Sequence, residues 1–278
     1  MKPFLIIIST FCLLFLTSCT TSENEENHIH SIGFDAIEPG ILYSATHFYI
    51  EKINLETGEK EKFGYDNDYM GFVIAADGTF YSSGHSEAIG NVGIRKSTDK
   101  GRSWKIMSYR GRDFHDMAVS YADKNKVYAW STPPEVFLTK TTDAGNTWTN
   151  EGNTLEMDVF ALAADHQQSN RLYAGTLYGL FVSEDEGKTW NKFALDTPIT
   201  AVVDDPVNEN KITVAIPDKG ILQTINWKDW INLNYPGEEA VVFLTAEPLS
   251  GDIYLVNEHN AIFSYNGKWN KILEGETE

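Results

Sequence analysis

Short apolar runs recur along the whole chain, rich in Val, Ile, Tyr, Phe and Trp, and Gly, Asp and Asn separate them. Runs of this length and composition predict β-strands, because β-branched and aromatic side chains fit a pleated, half-buried surface. No helical period of useful length occurs beside them. The pattern therefore predicts an all-β protein.

The apolar runs fall into six similar units of about four short strands each. The units begin at His30, Phe72, His115, Phe160, Thr200 and Val242, so successive starts differ by 42, 43, 45, 40 and 42 residues. A period of this length is typical of a β-propeller blade. A β-sandwich is the alternative, but it gives no reason for six-fold recurrence. Since only neighbouring blades in a closed ring cover both apolar faces of each blade, we predict one six-bladed β-propeller over residues 29–278.

A second motif, S/T-x-D-x-G-x-S/T-W, occurs three times between the third and fourth predicted strands of a unit. Its shared residues are Ser97, Asp99, Gly101, Trp104, Thr141, Asp143, Gly145, Trp148, Ser183, Asp185, Gly187 and Trp190. The Asp carboxylate can accept backbone N–H groups of its own turn, Gly supplies a positive φ, and Trp packs against the blade. We expect these residues to staple a hairpin; binding of calcium or substrate by the Asp residues is the alternative.

The motif resembles the Asp-box, or BNR-repeat, propellers, a superfamily that includes sialidases and sortilin-type receptors. The segments HIHSIGFD, SGH, DFHDMAVS and GLFVSEDEGKTW are most similar to bacterial lipoproteins usually labelled glycosyl hydrolases. The resemblance implies a six-bladed propeller with Asp-box turns. It leaves function open, because one fold serves many activities.

A sialidase-like activity, by this resemblance, would need three Arg side chains from separate blades to hold a carboxylate. The chain has five, none of them in the first, fifth or sixth unit: Arg95, Arg102, Arg110, Arg112 and Arg171. We therefore expect no sialidase activity. Another glycosidase would need two carboxylates about 5–10 Å apart. The candidate catalytic residues are Asp113, Asp116 and Asp158, with Glu156 beside them; the alternative is that these acids are solvated rim charges.

Five of the seven histidines fall in one half of the predicted ring: His28, His30, His47, His85 and His115. In the repeat register, His30 and His115 share the start of the innermost strand, whereas His47 and His85 share the end of the second strand. Both places lie on one rim, so we expect the imidazoles to gather at one side of the channel mouth. Neutral imidazoles bind Zn or Cu.

The histidine cluster has three interpretations: a metal site, a site for an organic or peptide ligand, and polar lining of the channel. In the first, Asp113, Asp116 or Glu87 would orient the rings. The aromatic residues Trp130 and Tyr178, expected on the same rim, are candidates for stacking on a sugar, although Trp and Tyr are also ordinary packing residues.

The N-terminal residues predict a targeting signal rather than a folded element. Residues 1–18 have one Lys and a short apolar run, typical of a signal peptide. The run ends in Leu-Thr-Ser-Cys, which resembles a lipobox and implies lipid attachment to Cys19, with residues 19–28 as a polar tether. We therefore expect a lipid-anchored protein of the bacterial cell envelope, on the extracytoplasmic side.

The formal net charge of −18 excludes partners that require a basic surface and favours cations. We expect no nucleic-acid partner, because no basic patch is available to neutralise phosphates. The sequence favours a monomeric, non-enzymatic module that binds a metal ion, a glycan or a protein through its histidine-rich rim. A glycoside hydrolase and a His-ligated metalloenzyme are the alternatives.

Overall fold

A computed structural model describes residues 27–65 and 67–275. The predicted signal peptide, Cys19 and most of the tether lie outside the described residues. None of the described residues forms a helix, and so none forms a helix able to span a membrane.

The described residues form six four-stranded antiparallel sheets and one small hairpin. Blade 1 consists of β1 (Ile29–Phe34), β2 (Ile41–Thr46), β3 (Ile50–Asn54) and β4 (Lys60–Phe63). Blade 2 consists of β5 (Phe72–Ile74), β6 (Phe80–Ser82), β9 (Ile94–Ser97) and β10 (Lys105–Ser108), with the hairpin of β7 (His85–Ser86) and β8 (Gly90–Asn91) inserted after β6. Blade 3 consists of β11 (Phe114–Val119), β12 (Val127–Ser131), β13 (Leu138–Thr141) and β14 (Thr149–Gly152).

The second half of the chain repeats the same order. Blade 4 consists of β15 (Val159–Ala164), β16 (Leu172–Thr176), β17 (Gly179–Ser183) and β18 (Asn191–Ala194). Blade 5 consists of β19 (Ala201–Asp204), β20 (Ile212–Ile216), β21 (Gly220–Thr224) and β22 (Trp230–Asn232). Blade 6 consists of β23 (Val241–Ala246), β24 (Ile253–Asn257), β25 (Ile262–Tyr265) and β26 (Trp269–Leu273).

The first strand of each blade lies at the centre of the molecule. Strands β1, β5, β11, β15, β19 and β23 each contact the next, and β23 contacts β1, so the ring is closed. The predicted six-bladed β-propeller is confirmed. Each predicted unit start lies within one residue of the start of an inner strand.

Apolar clusters hold neighbouring blades together, with one cluster in each of the six interfaces among the described residues. Trp104, Trp148 and Trp190 each pack into the interface with the preceding blade. The tryptophan that ends each S/T-x-D-x-G-x-S/T-W segment therefore links two blades.

The turn of each S/T-x-D-x-G-x-S/T-W segment is closed by its own polar groups. Asp143 accepts the N–H of Thr147 at 2.8 Å and the hydroxyls of Thr147 and Thr141 at 2.6 and 2.8 Å. These hydrogen bonds lower the pKa of Asp143 to about 2. The same bonds recur around Asp99 and Asp185. The three carboxylates are thus occupied within their turns.

The glycine of the S/T-x-D-x-G-x-S/T-W segment is required for two reasons: the backbone has a positive φ there, and there is little room for a side chain. Gly187 has a φ of +84°, and a Cβ added there would lie 2.0 Å from a methyl group of Leu138 in blade 3. A side chain at this position would be strained by the positive φ and would require the Leu138 side chain to move.

The interface between blades 6 and 1 closes the ring without a shared strand, because no blade combines strands from the two ends of the chain. Asn260, in the turn between β24 and β25, spans this interface. Its Oδ1 accepts the buried N–H of Ile29 at 2.7 Å, and its Nδ2 donates to the carbonyl of Asn27 at 3.0 Å. Apolar contacts that include Ile32 and Val256 complete the interface.

Replacement of Asn260 by Gly is expected to lower the free energy of unfolding by about 1–3 kcal/mol, because the buried N–H of Ile29 loses its acceptor. Glycine tolerates the φ of +62° at this position, so the variant tests the hydrogen bonds rather than backbone strain. Urea unfolding followed by tryptophan fluorescence measures the loss. Asp218→Gly is the matched control, since Asp218 is exposed and also has a φ of +62°. An equal loss in both variants would contradict the role of Asn260.

Candidate functional site

Four inner strands have a β-bulge at the same place, near their first residue. The register shifts between Ile29 and Ser31, and it shifts in the same way in β11, β15 and β23. The bulged residues are His30, His115, Phe160 and Val242. A bulge redirects a side chain and is frequent beside binding sites. These residues line the end of the central channel where the inner strands begin, here called the channel mouth.

A connecting segment between blades 1 and 2 brings a carboxylate, Asp68, to the channel mouth. The N–H of Asp68 donates to the carbonyl of His85 at 3.1 Å, and the N–H of Tyr69 donates to the carbonyl of Thr46 at 3.0 Å. Gly84 permits this approach: its φ is +131°, and an added Cβ would lie 2.3 Å from the carbonyl oxygen of Asp68. Asp68 is therefore fixed between the two blades.

The buried Arg95 anchors the connecting segment that contains Asp68. Its Nη2 donates to the carbonyl of Asp68 and its Nη1 to Oδ1 of Asn67, both at 2.9 Å. Its guanidinium lies over the rings of Tyr69 and Trp104, at 4.3 and 5.0 Å from their centroids. Aromatic faces and carbonyl oxygens take the place of a carboxylate partner. Burial lowers the pKa of Arg95 to about 10, so the side chain stays charged at neutral pH.

His30, His47 and Asp68 form a compact group with ligand atoms all within 4.8 Å of one another; we call it the metal-site group. Nε2 of His30 lies 3.1 Å from Nδ1 of His47 and 3.8 Å from Oδ1 of Asp68. Nδ1 of His47 lies 3.4 Å from Oδ2 of Asp68. Zinc bonds of about 2.0–2.2 Å to nitrogen and oxygen separate ligand atoms by roughly 3–4 Å, which these distances approach.

Electrostatics in the metal-site group favours a neutral ring beside an ionised carboxylate. Burial, reinforced by the neighbouring His47, lowers the pKa of His30 to about 3. Burial alone would raise the pKa of Asp68, but hydrogen bonds from His47 and His85 hold it below its usual range. Oδ1 of Asp68 is buried and has no hydrogen-bond partner among the described residues. The group therefore presents a lone pair and a carboxylate oxygen that a cation could satisfy.

A second carboxylate, Asp113, extends the cluster along the channel mouth. Nε2 of His115 donates to Oδ2 of Asp113 at 2.7 Å, while Oδ1 accepts the N–H of Phe114 at 2.9 Å and the hydroxyl of Ser83 at 3.3 Å. His85 lies between the two carboxylates, with Nδ1 at 3.0 Å from Asp68 and Nε2 at 3.6 Å from Asp113. Imidazoles and carboxylates thus alternate through blades 1, 2 and 3.

The Asp113–His115 pair shifts the pKa of both partners. Burial lowers the pKa of His115, but its hydrogen bond to the Asp113 carboxylate outweighs this effect, so the net pKa is raised above 6.5. Burial would raise the pKa of Asp113, yet the same hydrogen bond holds it below its usual range. The side chain of His115 is 41% exposed, because it lines the wall of an open channel. It is a partly exposed imidazole within reach of a ligand in the channel.

The structure brings together His30, His47, His85, His115 and Asp113. The ring of His28 lies 5.9 Å from that of His47 and outside the metal-site group. Asp116 follows His115 on β11, and burial raises its pKa to about 6. Asp158 and Glu87 are exposed on their loops.

At two positions the structure differs from what the sequence led us to expect. Trp130 is only 3% exposed and packs between blades 3 and 4, so it is not available to stack on a sugar, whereas Tyr178 is 59% exposed. Asp68 was missed because it lies in a connecting segment that has no counterpart in the repeat register. Its position just before the inner strand of the unit that contains His85 was the one available signal.

Comparison with solved structures finds other propellers at low sequence identity. The GH74 enzyme of Niastella koreensis is 17% identical with a TM-score of 0.60, covering 73% of this chain and 36% of that chain. An ancestral GH74 enzyme is 14% identical with a TM-score of 0.62, covering 90% and 39%. A chain in a nidogen–laminin complex is 13% identical with a TM-score of 0.68, covering 84% and 93%.

These likenesses establish the propeller fold and no more. The chain spans less than two fifths of the length of the GH74 chains it matches. No protein-family model matches the sequence, and no curated protein matches it. Structural neighbours thus include both enzymes and a chain from a protein complex, and the site itself must decide between these classes of function.

The Asp113–His115 pair predicts a measurable titration. In metal-free protein, NMR should give His115 a pKa above 6.5, and Asp113→Asn should bring it below 6.5, because burial then acts without the carboxylate. The stabilisation from a raised imidazole pKa is fully present below the unfolded value of about 6.5 and is lost as pH rises through the folded value.

Asp158→Asn is the control, because this exposed carboxylate has a similar place in blade 4. It should leave the titration of His115 unchanged. A His115 pKa below 6.5 in the unsubstituted protein would contradict the pairing.

Proposed function

We propose that the protein is a binding module that holds a Zn²⁺ or Cu²⁺ ion at its channel mouth through His30, His47 and Asp68. The observation that carries the proposal is the convergence of their ligand atoms, all within 4.8 Å, from three separate segments of the chain. Two imidazole nitrogens and one carboxylate oxygen suit these ions.

Four features support an ion rather than polar lining. His30 is neutral at physiological pH and so has a nitrogen lone pair to offer. The buried Oδ1 of Asp68 lacks a partner among the described residues, which is costly unless an ion or a water satisfies it. His85 donates to the other oxygen of Asp68 and would orient this ligand. The net charge of −18 favours cations throughout the approach to the site.

The cellular setting that we propose is the extracytoplasmic side of a bacterial envelope. It rests on the resemblance of Leu-Thr-Ser-Cys to a lipobox, with lipid attached to Cys19. A tether of about ten polar residues would keep the propeller close to the membrane while leaving its rim free. In this setting the module would present its channel mouth to a small ligand, a glycan or a protein partner.

Metal binding is tested on the chain from Thr21 onward, purified without a His tag or chelator. After incubation with Zn²⁺ or Cu²⁺ and desalting, elemental analysis should give about one ion per chain, as a single three-ligand site requires. His30→Ala, His47→Ala and Asp68→Asn should each lose the ion, because each removes one of three protein ligands.

His259→Ala is the matched control, since His259 is exposed in blade 6 and should not affect the metal content. Absence of bound metal in the unsubstituted protein would overturn the proposal. So would an equal loss in the control, which would indicate adventitious binding to surface histidines.

A glycoside hydrolase is the second candidate, favoured by the opposite pKa shifts of two neighbouring acids, Asp113 just before β11 and Asp116 on it. The pKa of Asp113 is held low, whereas that of Asp116 is raised to about 6 by burial. Such a divergence is what separates a general acid from a base or nucleophile. The GH74 propellers show that this fold class includes glycoside hydrolases, although that likeness extends to the fold alone.

Release of reducing sugar from a panel of polysaccharides tests this candidate. If it is correct, Asp116→Asn should lower turnover by at least about a hundredfold, the usual contribution of a general acid, with Asp158→Asn as the unaffected control. If no polysaccharide in the panel is hydrolysed by the unsubstituted protein, the candidate fails.

A further inference from the structure

The bulged residues divide the channel mouth into two chemically different halves. Blades 1 and 3 place His30 and His115 at this position, whereas blades 4 and 6 place Phe160 and Val242 there. The order of the closed ring sets blade 1 opposite blade 4 and blade 3 opposite blade 6. His30 therefore faces Phe160 across the channel, and His115 faces Val242.

The apolar half is exposed to solvent although it belongs to inner strands. Phe160 is 37% and Val242 is 38% exposed. On the same rim, the hairpin between β16 and β17 presents Leu177 and Tyr178, which are 46% and 59% exposed. Between blades 4 and 6, the small side chain of Thr200 is turned to the backbone, since its hydroxyl donates to the carbonyl of Val241 at 2.8 Å. Nothing among the described residues covers this apolar surface.

We infer that the channel mouth binds a small amphipathic ligand, whose anionic oxygen-donor group coordinates the metal ion and whose hydrophobic body lies against Phe160 and Val242. The inference rests on the proposed metal site. Three protein ligands leave a position on the ion for such a donor group. His115 adds an imidazole whose Nε2 is held by Asp113 and whose Nδ1 has no hydrogen bond to the described residues, so Nδ1 is open to a second oxygen of the bound molecule. The opposite wall offers the exposed apolar side chains of Phe160 and Val242.

The experiment compares two hydroxamates that share a chelating group and differ in the body attached to it. Isothermal titration of the Zn²⁺-loaded protein should show benzohydroxamate binding at least about tenfold more tightly than acetohydroxamate, because its ring contacts the apolar half. Phe160→Ala should remove most of this difference by weakening benzohydroxamate alone. Val242→Ser provides a second variant with the same expectation.

Ile225→Ala is the matched control, since Ile225 is a 67% exposed apolar residue beyond β21, at the opposite rim. It should preserve the tenfold preference, and metal-free protein should bind neither hydroxamate. Equal affinity for the two compounds, or an undiminished preference in both Phe160→Ala and Val242→Ser, would overturn the inference while leaving the metal site intact. Failure to load Zn²⁺ would overturn the proposed function, and the inference with it.

Discussion

Mutual coverage of apolar blade faces is the constraint on which this structure depends. A four-stranded sheet has two such faces, and each finds its partner only in a neighbouring blade, so that six interfaces must form together. Five of them join blades that follow each other directly in the chain. The sixth joins the two ends of the described chain and relies on side-chain packing and on Asn260. Because the histidine cluster draws on blades 1, 2 and 3, its geometry depends on the closed ring.

Within that ring, the chemistry of the channel mouth follows from alternating acids and imidazoles. Asp68 and Asp113 are nearly enclosed by protein, yet both stay ionised because imidazoles donate to them. In turn the carboxylates raise the pKa of His85 and His115, whereas His30, next to another imidazole and deeply buried, is held neutral. One short stretch of channel wall thus contains both imidazoles that donate to carboxylates and an imidazole that is held neutral.

The sequence predicted the architecture well because a blade is a local unit whose strands and turns are determined by about forty consecutive residues. The same repeat register predicted that His30 and His115 would share a position, since equivalent residues of different blades face the same channel. It could not predict Asp68, which reaches the site from a connecting segment outside the register. The burial of Trp130 was equally hidden, because packing between blades and exposure at a rim use the same residue type. The bulges were invisible as well, since a one-residue shift leaves the alternation of apolar positions almost unchanged.

The repeated bulge has a consequence for how this molecule could acquire new specificity. The backbone deviates in the same way whether the residue is histidine, phenylalanine or valine, so the deviation does not depend on the side chain that it displays. A point mutation at any of the four positions would change the chemistry of the channel mouth at little cost to the blade interfaces. Foldability and the lining of the channel mouth are in this respect encoded by separate residues, so the lining can diverge among relatives while the scaffold stays the same.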